Sequence, residues 1–321
     1  MDESDLGISP TSTTAVETLV HKLSSVSEHT RTESLCELRL LSKYDPDTRP
    51  IIISAGAIPY ISESLYSPSS ISQENAAATL LNLSIHNRHP IMSTIGLLDA
   101  LSHALRNPTS ASAAQSTSAL LFSLLMEDEY RPVIGSKRDI IYALVDLIRN
   151  GRSHPRSVKD ALKALFGICL WKGNRGSVIE LGAVPVLFSL VMKDGRVGIV
   201  EDVTAVIGQI AGCEQAWEEF GKVSGVGVLV DLLDLSTGCS DRIKENAVSG
   251  LLNLVEYGTE EVVESLRSLG PGLVHGISEV VKNGSVKGKS KAAALLKMLD
   301  GAAHCDHLDS SFQSFQSVSS S

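Results

Sequence analysis

From Glu74 to Leu83 the chain reads Glu-Asn-Ala-Ala-Ala-Thr-Leu-Leu-Asn-Leu, and from Glu245 to Leu254 it reads Glu-Asn-Ala-Val-Ser-Gly-Leu-Leu-Asn-Leu. In the first segment Ala76, Leu80 and Leu83, flanked by Ala77 and Leu81, fall at the three- and four-residue steps of one helix face. Ala247, Leu251 and Leu254, flanked by Val248 and Leu252, repeat that arrangement. Each segment predicts an amphipathic helix. The two are offset by 171 residues, close to four units of about 43, and weaker copies lie between and beyond them. These are Ser116 to Leu124, Asp160 to Ile168 and Asp202 to Ile210, with a leading copy ending Leu38-Arg39-Leu40 and a trailing one ending Leu296-Lys297-Met298. With Asn82 as marker the series is Arg39, Asn82, Ser123, Gly167, Gln209, Asn253 and Lys297, in steps of 43, 41, 44, 42, 44 and 44.

A shorter helix is expected before each marker helix, opened by a glycine turn. The clearest cases are Gly56-Ala57-Ile58-Pro59 and Gly182-Ala183-Val184-Pro185, with Gly96, Gly225 and Gly270 at the corresponding turns elsewhere. Strict alternation is nowhere sustained, so no sheet is expected. A single unit of this size cannot bury its own apolar stripe, whereas stacked neighbours share a continuous core. The period falls in the range of armadillo and HEAT repeats. The pattern predicts an all-α fold, an armadillo-type right-handed α-solenoid of about six to seven three-helix repeats, occupying residues 14–300 as one domain. The end helices, about Val16 to Leu23 and Lys289 to Leu299, should each carry one polar outer face. Residues 1–13 form an acidic, Ser/Thr-rich leader and 301–321 a Ser-rich tail, both expected to be disordered.

Composition narrows the chemistry. Of 321 residues 43% are apolar and only 4% aromatic, which suits layers of aliphatic helices rather than an aromatic-centred sandwich. The formal charge of −9 supplies no long-range attraction for nucleic acid or anionic lipid. Five cysteines stand far apart with no Cys-x-x-Cys pair, and the N-terminus lacks a signal-peptide pattern. No stretch approaches 18 uninterrupted apolar residues. The expectation is a cytoplasmic or nuclear protein without a membrane span.

The stretch Glu37-Leu38-Arg39-Leu40-Leu41-Ser42-Lys43 through Arg49 to Ser54-Ala55-Gly56-Ala57-Ile58-Pro59 resembles the first armadillo unit of plant U-box ubiquitin ligases and their relatives without a U-box. Gln73-Glu74-Asn75-Ala76 through Asn82-Leu83-Ser84-Ile85 resembles the second unit. Lys159 to Cys169 with Lys172-Gly173-Asn174 resembles the fourth. The resemblance covers about Val16 to Leu299 and is degenerate in the fifth and seventh units. It implies a surface that captures a protein partner. In that family a U-box module precedes the repeats; Met1 to Thr13 holds no Cys-Pro-Ile segment, so the expectation is recognition without ligase activity.

In stacked three-helix repeats the third helices line a concave strip, and the marker residues form a ladder along it. Asn82, Gln209 and Asn253 can donate and accept at once, which would clamp the backbone of an extended peptide, each bond adding about 0.5–1.5 kcal/mol. Alternatively these amides satisfy backbone groups between repeats. On the same face lie Arg39, Asn75, Ser123, Lys163 and Asn246, together with Asp160, Asp202 and Ser249; Trp171 and Tyr257 fall one turn beyond the marker, where aromatic anchors carry interface energy. Trp171 is read equally as contact or packing, and Trp217 as core. Importin-α, another armadillo protein, has Trp four residues before its ladder Asn; Ala78 and Ser249 stand there here, which disfavours nuclear-localisation-signal carriage.

Enzyme signals fail on inspection. Gly288-Lys289-Ser290 resembles the end of a phosphate-binding loop, but Asn283 replaces the required glycine. His304-Cys305-Asp306-His307 has no second cluster to complete a metal site. No nucleophile elbow or dinucleotide fingerprint is present. The expectation is a non-enzymatic scaffold with no cofactor, metal or small-molecule substrate, taking an extended peptide or a helix of a protein partner. The alternative is the substrate-recognition part of a ubiquitin ligase whose U-box sits on another chain. Hydroxyls between Ser310 and Ser321, around Phe312 and Phe315, could be phosphorylated to switch a docking segment.

Overall fold

In the computed structural model, residues 10–150 and 153–300 are described. Residues 1–9 of the leader, the Ser-rich tail and the His304-to-His307 segment lie outside the described residues, whereas Pro10 to Thr13, expected in the disordered leader, begin the first helix. Among the described residues every regular element is helical. The first repeat has two helices, α1 (Pro10–Lys22) and α2 (Glu28–Tyr44). Three-helix repeats follow: α3 (Thr48–Ser54), α4 (Ile58–Glu63), α5 (Ser70–His86); α6 (His89–Met92), α7 (Leu97–Arg106), α8 (Ala111–Leu124); and α9 (Tyr130–Gly135), α10 (Arg138–Arg149), α11 (Pro155–Cys169). Then come α12 (Arg175–Glu180), α13 (Ala183–Lys193), α14 (Val197–Ile210); α15 (Ala216–Gly221), α16 (Gly225–Asp231), α17 (Asp241–Tyr257); and α18 (Glu260–Ser268), α19 (Pro271–Asn283) with α20 over 286–300.

The chain divides into two compact units between Asn174 and Arg175. The sequence pattern treats 14–300 as one array; in such an array each repeat touches only its neighbours, so there is no common centre to hold distant repeats in one body. In the first unit α2 packs on α5, α5 on α8 and α8 on α11; in the second, α14 packs on α17. The shared core is aliphatic. Leu80, Leu83, Leu121, Leu124, Leu165 and Ile168 are fully buried in one unit, and Ile207, Ile210 and Leu251 in the other.

Serine caps set where the third helices begin. Ser27, Ser69, Ser110 and Ser240 have extended backbones, and each side chain accepts a hydrogen bond from the N–H three residues on. Glycine turns open the second helices as expected at Gly56, Gly96, Gly182 and Gly270, all with φ between 76° and 81°. Gly225 is a correction. The left-handed residue of that turn is Ser224, with φ 53°, while Gly225 is the first residue of α16. Its missing Cβ makes room for the Phe188 ring, which a methyl there would overlap. The end helices are polar outside as expected in α1, where Glu17, Thr18, His21 and Lys22 are exposed and Val16, Leu19 and Val20 are buried. In α20 the exposed set is mixed, Lys289, Ser290 and Lys297 alternating with Ala293 and Met298.

Candidate functional site: the strip of third helices

The caps fix the register of the marker ladder. Helices α2 and α5 are both 17 residues long and begin after Ser27 and Ser69, so the counterpart of Asn82 is Leu40, one residue past Arg39. At the other end Gly288 N–H donates to Ser285 Oγ, which makes Ser285 the cap and Met298 the counterpart of Asn253, one past Lys297. Both terminal markers therefore shift by one, because the triplets Leu38-Arg39-Leu40 and Leu296-Lys297-Met298 match the repeat pattern in two registers and only the cap chooses between them. Ladder positions in the first unit are Leu40, Asn82, Ser123 and Gly167; in the second they are Gln209, Asn253 and Met298.

The ladder amides are anchored to the preceding helix. Asn82 Nδ2 donates to Ser42 Oγ at 3.1 Å, and Asn253 Nδ2 to the Gly208 carbonyl at 2.6 Å. Neither Oδ1 accepts a hydrogen bond among the described residues, and neither is a buried unsatisfied atom. The two readings of these asparagines thus divide between the two ends of one side chain. Nδ2 stitches repeats together, and Oδ1 is an acceptor open to a ligand. Gln209 is the converse, since its Oε1 accepts from Arg175 Nη2 at 3.0 Å. Ser123 is engaged internally by Ser84 Oγ at 2.8 Å, and Gly167 is buried with Leu125 against the place of its absent side chain.

Asn75 and Asn246 serve the fold. Asn75 is 6% exposed; its Nδ2 donates to the Ile71 carbonyl and Cys36 Sγ, and its Oδ1 accepts from Arg39 Nη1 at 2.9 Å. Asn246 Nδ2 reaches back to the Glu201 carbonyl and Thr204 Oγ1. The glutamates beside them reach forward. Glu74 Oε2 accepts from the cap Ser110 at 3.3 Å, and Glu245 Oε2 from the cap Ser285 at 2.7 Å. The repeated Glu-Asn pair is therefore a stacking clamp. Burial pushes the Cys36 thiol up from its usual pKa, opposed by nearby Arg39. Lys163 pairs with Asp160 at 3.8 Å on its own helix.

One turn past the ladder the first unit carries exposed apolar side chains on four successive third helices or their ends: Tyr44, Ile85, Met126 and Trp171, exposed by 72, 60, 54 and 50%. With Leu40, also exposed, they form an apolar border along the strip. Trp171 lies beside Gly173, where a Cβ would come within 2.9 Å of Nε1. Of these residues the marker pattern singled out only Trp171; the signal for Tyr44, Ile85 and Met126 is an apolar residue beyond the last core Leu, where a capped helix no longer needs one. Tyr257 holds the same position in the second unit and is 37% exposed. Trp217, expected in the core, is only half-buried.

A row of arginines escaped the sequence reading. Arg49 Nε donates to the Ser42 carbonyl, Arg88 Nε to that of Ser123 and Arg131 Nε to that of Leu125, at 2.7, 2.7 and 3.1 Å. In the second unit Arg175 Nη1 donates to the Gly212 carbonyl and Arg267 Nε to that of Leu299. Each brings a donor to a carbonyl at or just past the end of a third helix and sets positive charge against the negative end of its dipole; the Ser123 carbonyl also accepts from Met126 N–H. Among the described residues no group of His, Cys, Asp and Glu could hold a metal, and no single helix is long and apolar enough to cross a membrane.

Stacked three-helix units with a ladder on the third helix define an armadillo-type α-solenoid. Solved structures agree on that fold. An engineered protein aligns with a TM-score of 0.76 at 20% identity, covering 89% of this chain and 68% of its own. A chain solved for a study of a phosphorylation switch in the cadherin and β-catenin interaction aligns at 0.75 and 17%, covering 89% and 55%. The chain belongs to the family described as the plant U-box protein ARM repeat region, which matches residues 15–314. Among its relatives, U-box domain-containing protein 16 of Arabidopsis thaliana is 31% identical over 82% of this chain and 38% of its own length. U-box domain-containing protein 1 of Medicago truncatula is 33% identical over 91% and 41%. The chain thus spans about two fifths of the length of these relatives.

Proposed function

We propose that this chain is a non-enzymatic scaffold whose third-helix strip holds an extended peptide or a helix of a protein partner, in the cytoplasm or nucleus. The observation that carries the reading is the free Oδ1 of Asn82 and Asn253 on amides already fixed through Nδ2. An anchored acceptor is preorganised, so a ligand N–H meets it without first ordering the side chain. The apolar border of Leu40, Tyr44, Ile85, Met126 and Trp171 adds area of the kind that dominates interfaces. A stable complex of this kind buries at least about 1,000 Å².

The test is affinity capture with the N82A/N253A pair, which removes the open acceptors together with their Nδ2 anchors, and with Y44A/W171A. Partner recovery should fall at least tenfold with either pair while far-UV circular dichroism is unchanged. Undiminished recovery by well-folded variants of both pairs would sink the proposal.

A second reading is favoured by the family. The relatives are U-box proteins of which this chain matches less than half; on this reading the strip serves substrate recognition in a ubiquitin ligase. Ubiquitin transfer assayed in vitro separates the two. Under this reading the chain alone is inactive and speeds transfer to its captured partner when a U-box protein is added; under the first it has no effect on that transfer.

A further inference from the structure

At the opposite ends of the third helices, where each second helix turns into its third, the first unit has a cleft of about 550 Å³ between the first and second repeats. Its cause is visible by comparison with the next junction. There Gln73, fully buried on α5, donates Nε2 to the carbonyls of Leu65 and Asn107, and its Oε1 accepts from Thr109 N–H and Oγ1. One side chain ties two successive loops together. The same helix position on α2 is Arg31, and the same loop position as Thr109 is Pro68, which has no N–H to give. Arg31 Nη1 turns back to the Ser25 and Val26 carbonyls at 2.7 and 3.1 Å and leaves the forward tie unmade. The cleft is the space that tie would have closed.

The lining has a definite chemistry. Tyr60 and Tyr66 present rings that are 45 and 41% exposed, and the Tyr66 ring is steadied by His103 at 4.9 Å between centroids. Glu28 and Glu63 stand on the walls as exposed carboxylates, against the single guanidinium of Arg31. The Tyr66 phenol is pushed up by burial first, and then by the negative charges of Asp99 and Glu63, so the field at that ring is negative. Aromatic faces beside carboxylates in a recess of this size favour a cation, which the ring quadrupoles and the carboxylates both attract.

We propose that this cleft is a binding site for a guanidinium or alkylammonium group, held against Tyr60 and Tyr66 with Glu28 and Glu63 as counter-charges. It lies away from the ladder and is independent of the peptide reading. The group could arrive on an arginine or lysine side chain or on a free polyamine, and the probes distinguish them.

The experiment follows backbone amide resonances of the full chain during titration with N-acetyl-arginine methylamide, its neutral citrulline analogue, spermidine and inorganic phosphate. Capped arginine or spermidine should give saturable shifts confined to residues 23–35 and 60–72. Tighter saturation by capped arginine assigns a side chain; tighter saturation by spermidine assigns a free polyamine. The midpoint should rise at least fivefold in E28Q/E63Q and in Y60A, and should not move in the N82A/N253A pair. Equal shifts with the citrulline analogue, saturation of the same resonances by phosphate at lower concentration, or no saturable shift with either cation would overturn the assignment.

Discussion

Ser224 is the described non-glycine residue with positive φ, at 53°. Holding an L-residue there costs about 1–2 kcal/mol, and glycine returns part of the gain as extra freedom of the unfolded chain. Ser224→Gly should therefore raise stability by about 0.5–1 kcal/mol, read as an upward shift of the denaturant midpoint at unchanged slope. Gly135 shows the opposite constraint. The Asn174 amide occupies the space a Cβ would need, and its Nδ2 donates to the Arg131 and Ile168 carbonyls at 2.9 Å each. Gly135→Ala should cost about 1–3 kcal/mol by overpacking and by releasing those carbonyls, and its midpoint matching the parent would refute this account. Such positions are illegible in sequence, because an absent side chain says nothing about which neighbour fills the gap. The asparagine pairs had a sequence signal, but spacing alone gave Asn75 and Asn82 the same standing. Only the hydrogen bonds show that Asn75 is saturated and Asn82 keeps a free acceptor.

Between elements, polar side chains decide how successive helices meet. The aliphatic face says that α5 packs on α2 and α8, yet a smooth aliphatic face permits sliding; Glu74 on a cap, Gln73 on a loop and Arg88 on a helix end each fix the stagger. Removing Arg88, which also pairs with Glu127 at 2.9 Å, should cost about 1.5–3 kcal/mol. Gln73→Leu, which removes the ties of a fully buried amide and leaves the part-buried Thr109 N–H without its partner, should cost about 1–3 kcal/mol. Chemical denaturation of both variants checks the ordering against Arg39→Ala, whose partly exposed pairing with Glu74 at 3.4 Å should matter less. The helices and their period were readable because helical spacing of Leu, Ile, Val and Ala is a one-dimensional property. The arginine row was overlooked because its members serve different neighbours, Arg49 and Arg131 the helix behind and Arg88 the helix ahead.

At the scale of the whole molecule, stability in a stacked array is a sum of local and nearest-neighbour terms. Leu80→Ala, at a fully buried position, should cost about 2–5 kcal/mol. Hydrogen exchange should quicken first in α5 and in its packing partners α2 and α8, with the second unit little changed; uniform loss of protection along the chain would argue for one cooperative body instead. The amino-acid sequence by itself determined the helical class, the repeat length, the glycine turns before most second helices, and the family, since these are periodic features that each repeat states again. Tertiary structure alone decided the register of the end repeats, which end of each ladder amide is free, the division into two units, and the cleft left where Arg31 and Pro68 replace a tie. These depend on what a side chain meets some forty residues away, and distance along the chain does not encode that meeting.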